Sequence, residues 1–254
     1  MKGIVAKTFV YPMKGLHGIE TPSRGLEAHT RLGVVGDRNF AVFRKQQDAP
    51  TAWRPKGQFH VCVNTEGMAP PHALTESDLD GQFRPGLERV RELYSERGVL
   101  NETTILVDTE GKWHLSDTPK PCVSFLNLAS VAALEEFMGA EIDPHRFRMN
   151  VWVEGLEPFA ELEYIKGFEN GSLYPAQVHG VRFGIDDVCE RCRAIEQSPE
   201  SGTWNTEFQA SITALLKERG YAGSPHRGTL AVMGWLAIPE NNDLIRQGHQ
   251  VTFG

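Results

Sequence analysis

Short apolar runs of strand length, separated by Gly and Pro, constrain the fold of this chain more than any other feature. The 254 residues include 25 Gly and 15 Pro, and helical spacing of apolar residues is confined to a few segments. Candidate strands lie at 4–11, 39–43, 59–63, 150–153, 176–183, 229–238 and 250–253. Because these runs do not alternate with helices as βαβ units do, the sequence predicts a mainly β, α+β fold with a barrel rather than a doubly wound sheet.

The sequence pattern changes from strand-length apolar runs to helical spacing after Lys120, which lies in the proline-marked segment TPKP. Apolar residues recur at helical spacing over 128–138, and Gly139 supplies a stop signal. We therefore predict two domains, a β-rich unit over 1–120 and a second unit over 121–254.

Three further segments carry local structural patterns. In 103–115 an alternation resumes after an Asp-Thr-Glu-Gly loop, which predicts a β-hairpin. Apolar spacing predicts a short amphipathic helix over 87–98. A third helix is expected to begin at a cap on Thr203 or Asn205 and to end near Gly220.

Charge and hydropathy exclude several classes of partner. Twenty-six basic and 33 acidic residues give a net charge of −7, so nucleic acid and anionic membrane surfaces are not expected partners. No apolar run approaches the ~20 residues that cross a bilayer, and the first ten residues lack the features of a signal peptide. We expect a cytoplasmic protein.

The sharpest local motif is the CxxC formed by Cys189 and Cys192. Thiolates are nucleophiles and metal ligands, and the adjacent Arg191 favours the thiolate form. A structural pair of partly buried thiols is the alternative. A zinc site is disfavoured because the chain has no second CxxC and no paired histidines at ligand spacing.

Basic residues in Gly-, Pro- or aromatic-marked loops form a second feature. They are Lys14, Arg38, Arg146 and Arg148. Such side chains could converge on an anion, since Arg binds phosphate in bidentate fashion and Lys supplies a point charge. Solvated surface charges and strand-end ion pairs are the alternatives. The nine histidines are dispersed without ligand spacing and receive no functional role.

Several motifs occur together and in order along the chain: YPMKGLHG, GDRNF, FRMNVWVEG, FAELEY and CERC. On these motifs the sequence resembles a MOSC-domain protein with an N-terminal β-barrel partner domain. The family takes its name from molybdenum cofactor sulfurase and includes the mitochondrial amidoxime-reducing component. The chain departs from the family pattern at Gly15, Met149 and Leu162.

The resemblance implies a molybdenum cofactor, a pyranopterin with a phosphate, held between the two domains. Cys192 matches the thiolate that ligates molybdenum, and it is expected to be buried beside Arg191. The residues matched to cofactor contacts are Lys14, Arg38, Ser124, Arg148, Asn150 and Arg191.

From this resemblance we expect an oxidoreductase that reduces small N-hydroxylated compounds. The sequence has no cysteine cluster for iron and sulfur, so a separate ferredoxin or flavin reductase is expected to deliver electrons. Two alternatives stay open. In one, Cys192 carries a persulfide for metal–sulfur cofactor assembly; in the other, the chain is a non-catalytic binding module with a structural CERC.

Overall fold

A computed structural model describes residues 1–15, 17–44, 88, 91–92, 94–96, 98, 100–116, 118–163, 173–221 and 231–254. The strand predicted at 59–63 lies outside these residues. Of the helix predicted over 87–98, residues 88, 91–92 and 94–96 are described and are helical.

Thirteen strands form the framework of the described chain. They are β1 (Lys2–Val10), β2 (Ile19–Glu20), β3 (Leu26–His29), β4 (Gly33–Val34), β5 (Phe40–Arg44), β6 (Thr104–Asp108), β7 (Val123–Asn127), β8 (Val151–Glu154), β9 (Tyr174–Val178), β10 (Val181–Glu190), β11 (Val232–Pro239), β12 (Asp243–Ile245) and β13 (Gln250–Phe253).

Seven of these strands close into a barrel in the order β13-β9-β10-β11-β7-β8-β1. Closure comes from antiparallel pairing of β1 with β13, where Gly3 lies opposite Val251. The pair β7–β8 is parallel and the other barrel pairs are antiparallel. The predicted fold class, mainly β with a barrel, is therefore confirmed.

Apart from the helical residues at 88, 91–92 and 94–96, three α-helices and two 3-10 helices accompany the strands in the described part of the chain. They are α1 (Leu128–Met138), α2 (Ala160–Glu163) and α3 (Phe208–Glu218), with 3-10 helices at Pro144–Phe147 and Arg193–Glu196. The prediction for α1 is confirmed: the Asn127 side chain caps its first turn and Gly139 ends it in the left-handed conformation. Among the described residues, no helix is both long and apolar enough to cross a membrane.

The third predicted helix is α3, which ends at Glu218, with Gly220 two residues beyond. The residue at its N-cap is Glu207, whose side chain makes no capping hydrogen bond. Asn205, one of the two predicted caps, instead accepts a hydrogen bond from the Glu207 N–H at 3.1 Å. The helix therefore begins slightly later than its cap signal suggests.

Two apolar clusters hold the fold together. The barrel interior centres on aromatic rings: Trp235 stacks on Phe125 at 5.1 Å, and Phe183 meets Phe125 edge-on at 5.5 Å. The second cluster joins the outer side chains of β7 and β8 to α1 and α3, through residues such as Leu126 and Ile212. Together the clusters fix the positions at which the barrel strands end.

Smaller sheets complete the N-terminal part of the chain. β5 pairs with β6, and β3 pairs with both β4 and β12. The hairpin predicted over 103–115 is wrong, because β6 pairs with β5 and residues 111–116 form no strand. β1 belongs to the barrel, and β12 belongs to a sheet with β3 and β4, so both predicted units contribute to shared sheets. The division at residue 120 stays a prediction.

Candidate functional site

Tyr11 lies directly after β1 and gathers two of the predicted arginines around its ring. The guanidinium carbon of Arg38 lies 5.5 Å from the ring centroid, and that of Arg148 lies 5.1 Å from it. The tyrosine is fully buried, and its hydroxyl donates to the Met149 carbonyl at 3.3 Å. Burial raises the pKa of Tyr11, although the charges of Arg148 and Arg38 act to lower it. The two arginines, distant in sequence, thus share one location.

Both arginines adopt a backbone conformation that side chains other than glycine seldom take. The φ angles are +49° at Arg38 and +52° at Arg148. Arg148 ends the 3-10 helix Pro144–Phe147, and its N–H donates to the His145 carbonyl at 3.1 Å. The N–H of Arg38 donates to the Tyr11 carbonyl at 2.6 Å. A left-handed residue costs about 1–2 kcal/mol, so the surrounding structure holds both guanidinium groups in place.

A buried polar network lies beneath this pair. Asp37 forms an ion pair with Arg38 and accepts hydrogen bonds from the Tyr11 N–H at 2.7 Å and the Asn150 Nδ2 at 2.9 Å. Asn150 Oδ1 accepts from the Ser124 hydroxyl at 2.7 Å and N–H at 3.3 Å. The second Nδ2 proton of Asn150 goes to the Phe9 carbonyl at 3.1 Å.

These bonds use the full hydrogen-bonding capacity of the Asn150 amide. The structure therefore places Asn150 and Ser124 together, in a network that fixes the Asp37 and Arg38 loop. A direct contact of Asn150 with a cofactor stays a prediction.

Lys14 borders the same cluster. Its Nζ donates to the Leu115 carbonyl at 2.7 Å, and the Leu115 N–H donates to the Arg38 carbonyl at 3.0 Å. Burial lowers the pKa of the neighbouring His114, and the charges of Arg38 and Lys14 lower it further. The electrostatic field around Lys14, Arg38 and Arg148 is thus strongly positive in an acidic protein.

The CxxC motif spans the end of β10 and the start of the 3-10 helix Arg193–Glu196. Cys189 lies in β10 and is half-buried, whereas Cys192 is the N-cap residue and is exposed. Between them Arg191 donates from one guanidinium nitrogen to Cys189 Sγ at 2.8 Å and from another to the Phe147 carbonyl at 2.6 Å. The exposure of Cys192 contradicts the expectation of a buried thiolate. The hydrogen bond from Arg191, expected to stabilise that thiolate, goes to Cys189 instead.

Arg191 nevertheless belongs to the cationic cluster. Its charge is one of those that lower the pKa of Tyr11, and Phe147, which it contacts, precedes Arg148. Its Nε is buried without a hydrogen-bond partner among the described residues. A buried donor of this kind is suited to an acceptor supplied by a ligand.

A small cleft adjoins the cluster. It is lined by Tyr11, His17, Gly18, His145, Arg146, Arg148, Ala194, Gln197 and Pro199. Ala194 follows Cys192 by two residues, so the thiol-bearing turn forms one wall. Among the residues singled out in the sequence, Arg146 and Arg148 appear in this lining and Cys192 does not.

Sequence reasoning missed His17 and His145. His17 gives no recognisable signal. For His145 a signal exists, because Asp143 followed by Pro144 is typical of a helix start. At such a start the capping carboxylate accepts a hydrogen bond from the backbone N–H two residues later, here His145.

The donor set is compatible with a large anionic ligand carrying a soft metal. In the described part of the chain, no three His, Cys, Asp or Glu side chains come together as a metal site. A metal that brings sulfur ligands from its own organic cofactor needs only one protein thiolate, which Cys192 can supply. The guanidinium groups of Arg148 and Arg191 are suited to the negative charges of such a group.

The fold is a closed β-barrel. It carries a cationic cluster around a buried tyrosine and a turn that bears a thiol, an arrangement that is suited to an anionic cofactor. The MOSC-domain family profile matches residues 111–252, more than half of the chain. The chain belongs to the MOSC-domain family, whose members are associated with the molybdenum cofactor.

Solved structures similar to this chain include YuaD and YiiM. The YuaD protein from Bacillus subtilis is 10% identical, with 99% of this chain and 94% of that chain covered and a TM-score of 0.44. YiiM from Geobacillus stearothermophilus is also 10% identical, with 52% of this chain and 53% of that chain covered and a TM-score of 0.33. A comparison with curated proteins finds no match.

Proposed function

We propose that this protein binds a molybdenum cofactor through Cys192 and reduces N-hydroxylated small molecules by two electrons. The observation that carries the proposal is the gathering of Arg38, Arg148 and Arg191 around Tyr11, beside the turn that begins at the exposed Cys192. Membership of the MOSC family supports the cofactor.

The side chains divide into three roles. Cys192 provides a soft thiolate ligand, and its exposure leaves it accessible to a metal. Arg148 binds the anionic parts of the cofactor. Two nitrogens of Arg191 donate to Cys189 and Phe147, so its buried Nε is the donor that it offers to the cofactor. Lys14 and Arg38 already bind protein groups, the Leu115 carbonyl and the Asp37 carboxylate, so they contribute mainly through their positive field.

When bound, the cofactor supplies the two-electron redox chemistry. The protein supplies its position, the positive field and a cleft for the substrate. We further propose that electrons come from a separate ferredoxin or flavin reductase. The loaded protein is then inactive with NADH alone and active with a reduced viologen dye.

Metal content tests the proposal directly. The full chain is purified from a molybdenum-replete host and its molybdenum is measured by mass spectrometry. We expect about one molybdenum per chain in the wild type and in Cys189→Ser, and at least a tenfold loss in Cys192→Ser. Reduction of an aromatic amidoxime by the dye is measured on the same preparations. Equal molybdenum in both variants, or loss in both, contradicts the assignment of Cys192.

The exposure of Cys192 also favours a second candidate, a sulfur carrier. An accessible thiol can hold a persulfide and pass the sulfur to a partner protein. Cyanide-labile sulfur on Cys192 without molybdenum would support this function. Zinc held by both cysteines would support the third alternative, a structural CERC.

A further inference from the structure

His145 and Asp143 form a hydrogen-bonded pair at the wall of the cleft. His145 Nδ1 lies 2.6 Å from Asp143 Oδ1, and the same oxygen accepts the His145 backbone N–H at 2.9 Å. Burial alone would raise the pKa of Asp143, but these hydrogen bonds from His145 lower it overall, so the carboxylate stays ionised. An ionised acceptor on Nδ1 makes that nitrogen the donor and leaves Nε2 for a ligand.

The imidazole ring is held on its other sides by aromatic neighbours. It meets the Phe9 ring edge-on at 5.3 Å and the Trp152 ring edge-on at 4.9 Å. The His145 side chain still retains 38% exposure, and it lines the cleft. The ring is therefore fixed in orientation and accessible to a small molecule.

The remaining charged groups at the cleft are cationic. Arg146 donates to the Ile195 carbonyl at 3.1 Å and lies 4.9 Å from the Phe208 ring, while Arg148 lies against Tyr11. His17 contributes a second imidazole. Guanidinium groups stay protonated and are poor proton donors, so the candidate proton donors of the lining are its imidazoles. His145 is oriented for this role by its hydrogen bond to the Asp143 carboxylate.

We propose that the cleft holds the N-hydroxyl group of the substrate and that His145, oriented by Asp143, donates a proton to the departing oxygen. The inference rests on the proposed function. In the overall reaction R–NHOH accepts two electrons and two protons to give R–NH2 and water. The N–O bond breaks, and His145, which has taken up a proton on Nε2 from solvent, passes that proton to the oxygen that leaves. Solvent also supplies the proton of the new N–H bond. A one-electron carrier of the ferredoxin or flavin class supplies both electrons.

The test uses the full chain loaded with molybdenum, reduced viologen as electron donor and benzamidoxime as substrate. We expect His145→Gln to lower kcat about 100-fold, with KM within about threefold of wild type and molybdenum content unchanged. Asp143→Asn keeps a good capping residue but removes the carboxylate, so it should lower kcat about tenfold. His29→Gln, a histidine in β3 outside the cleft, is the matched control and should keep wild-type kcat.

A second readout does not depend on turnover. With ¹⁵N-labelled histidine, addition of the product benzamidine should shift the Nε2 resonance of His145 and leave that of His29 unchanged. The shifted resonance should be missing in His145→Gln.

Wild-type kcat in His145→Gln with normal molybdenum overturns this inference and leaves the proposed function intact. A raised KM with unchanged kcat also overturns it, because His145 then only binds substrate. A loaded wild type that reduces no amidoxime overturns the proposed function, and this inference falls with it.

Discussion

Replacing Asn150 by alanine should destabilise the protein whether or not a cofactor is bound. The Asn150 amide makes four hydrogen bonds, and all go to buried protein groups. Alanine leaves Asp37 with the Tyr11 N–H and its ion pair with Arg38, and the Ser124 oxygen still accepts the backbone N–H of residue 150 at 3.0 Å. The main losses therefore fall on the Phe9 carbonyl and on the Ser124 O–H donor.

Each buried polar group left without a partner costs about 1–3 kcal/mol, so two groups at about 1.5 kcal/mol give a loss of about 3 kcal/mol. For a chain of this size that loss lowers the melting temperature by about 6–12 °C. The free energy of unfolding is measured by urea titration of molybdenum-free protein, followed by tryptophan fluorescence. Asn205→Ala, at an exposed position before α3, is the control and should cost no more than about 1 kcal/mol.

The result discriminates between two roles of Asn150. A residue that serves only the cofactor should leave molybdenum-free protein unchanged and destabilise loaded protein alone. A loss below about 1 kcal/mol in molybdenum-free Asn150→Ala would refute the network as the source of its role.

Three further predictions concern the glycines, the thiols and a buried carboxyl. Gly234→Ala should lower the free energy of unfolding by about 2–5 kcal/mol in urea titrations, because its Cβ would collide with the Phe125 carbonyl oxygen of β7 and its φ is +78°. Gly111→Ala, also at positive φ but in open space, should cost only about 1–2 kcal/mol. Burial raises the pKa of Cys122 to about 12, whereas Cys192 is exposed. After treatment with iodoacetamide at pH 8, peptide mass spectrometry should therefore find the label on Cys192 and almost none on Cys122. Labelling of Cys122 that fails to increase with pH would contradict this. Burial also raises the pKa of Glu161 above its unfolded value, so its contribution to stability is full below the unfolded pKa and is lost as pH rises toward the folded pKa. The free energy of unfolding of wild type minus that of Glu161→Gln should therefore fall as pH rises above about 4.5, the ordinary pKa of a glutamate, and a constant difference would contradict the raised pKa.

Local signals predicted local structure well. Helix α1 is readable because its cap, its apolar spacing and its terminal glycine all lie within a dozen residues. The partner of β6 is not readable in this way. The chain pairs it with β5, about 60 residues earlier, and pairing over that distance depends on tertiary packing that a short pattern does not encode.

The candidate site shows the same division. The motifs singled out Arg38, Arg148 and Arg191, and the structure places all three near Tyr11. They did not reveal that Arg191 donates to Cys189 or that Cys192 is exposed, since side-chain direction depends on how β10 ends. A single histidine carries no ligand spacing, so the sequence points to His145 only through the helix start at Asp143 and Pro144, which brings it to its carboxylate partner.

The pairing that closes the barrel affects how the chain is made in the cell. β1 is synthesised before β8 and β13, its two neighbours in the barrel. Ile4 pairs with Glu154, which is 150 residues later in the chain, and Gly3 pairs with Val251, which is 248 residues later. At ~5–20 residues per second, the second interval takes on the order of 10–50 s on the ribosome. During that time the residues of β1 that pair with β8 and β13 lack their partners, so the yield of native protein should depend on translation rate and on chaperones that cover nascent β-strands.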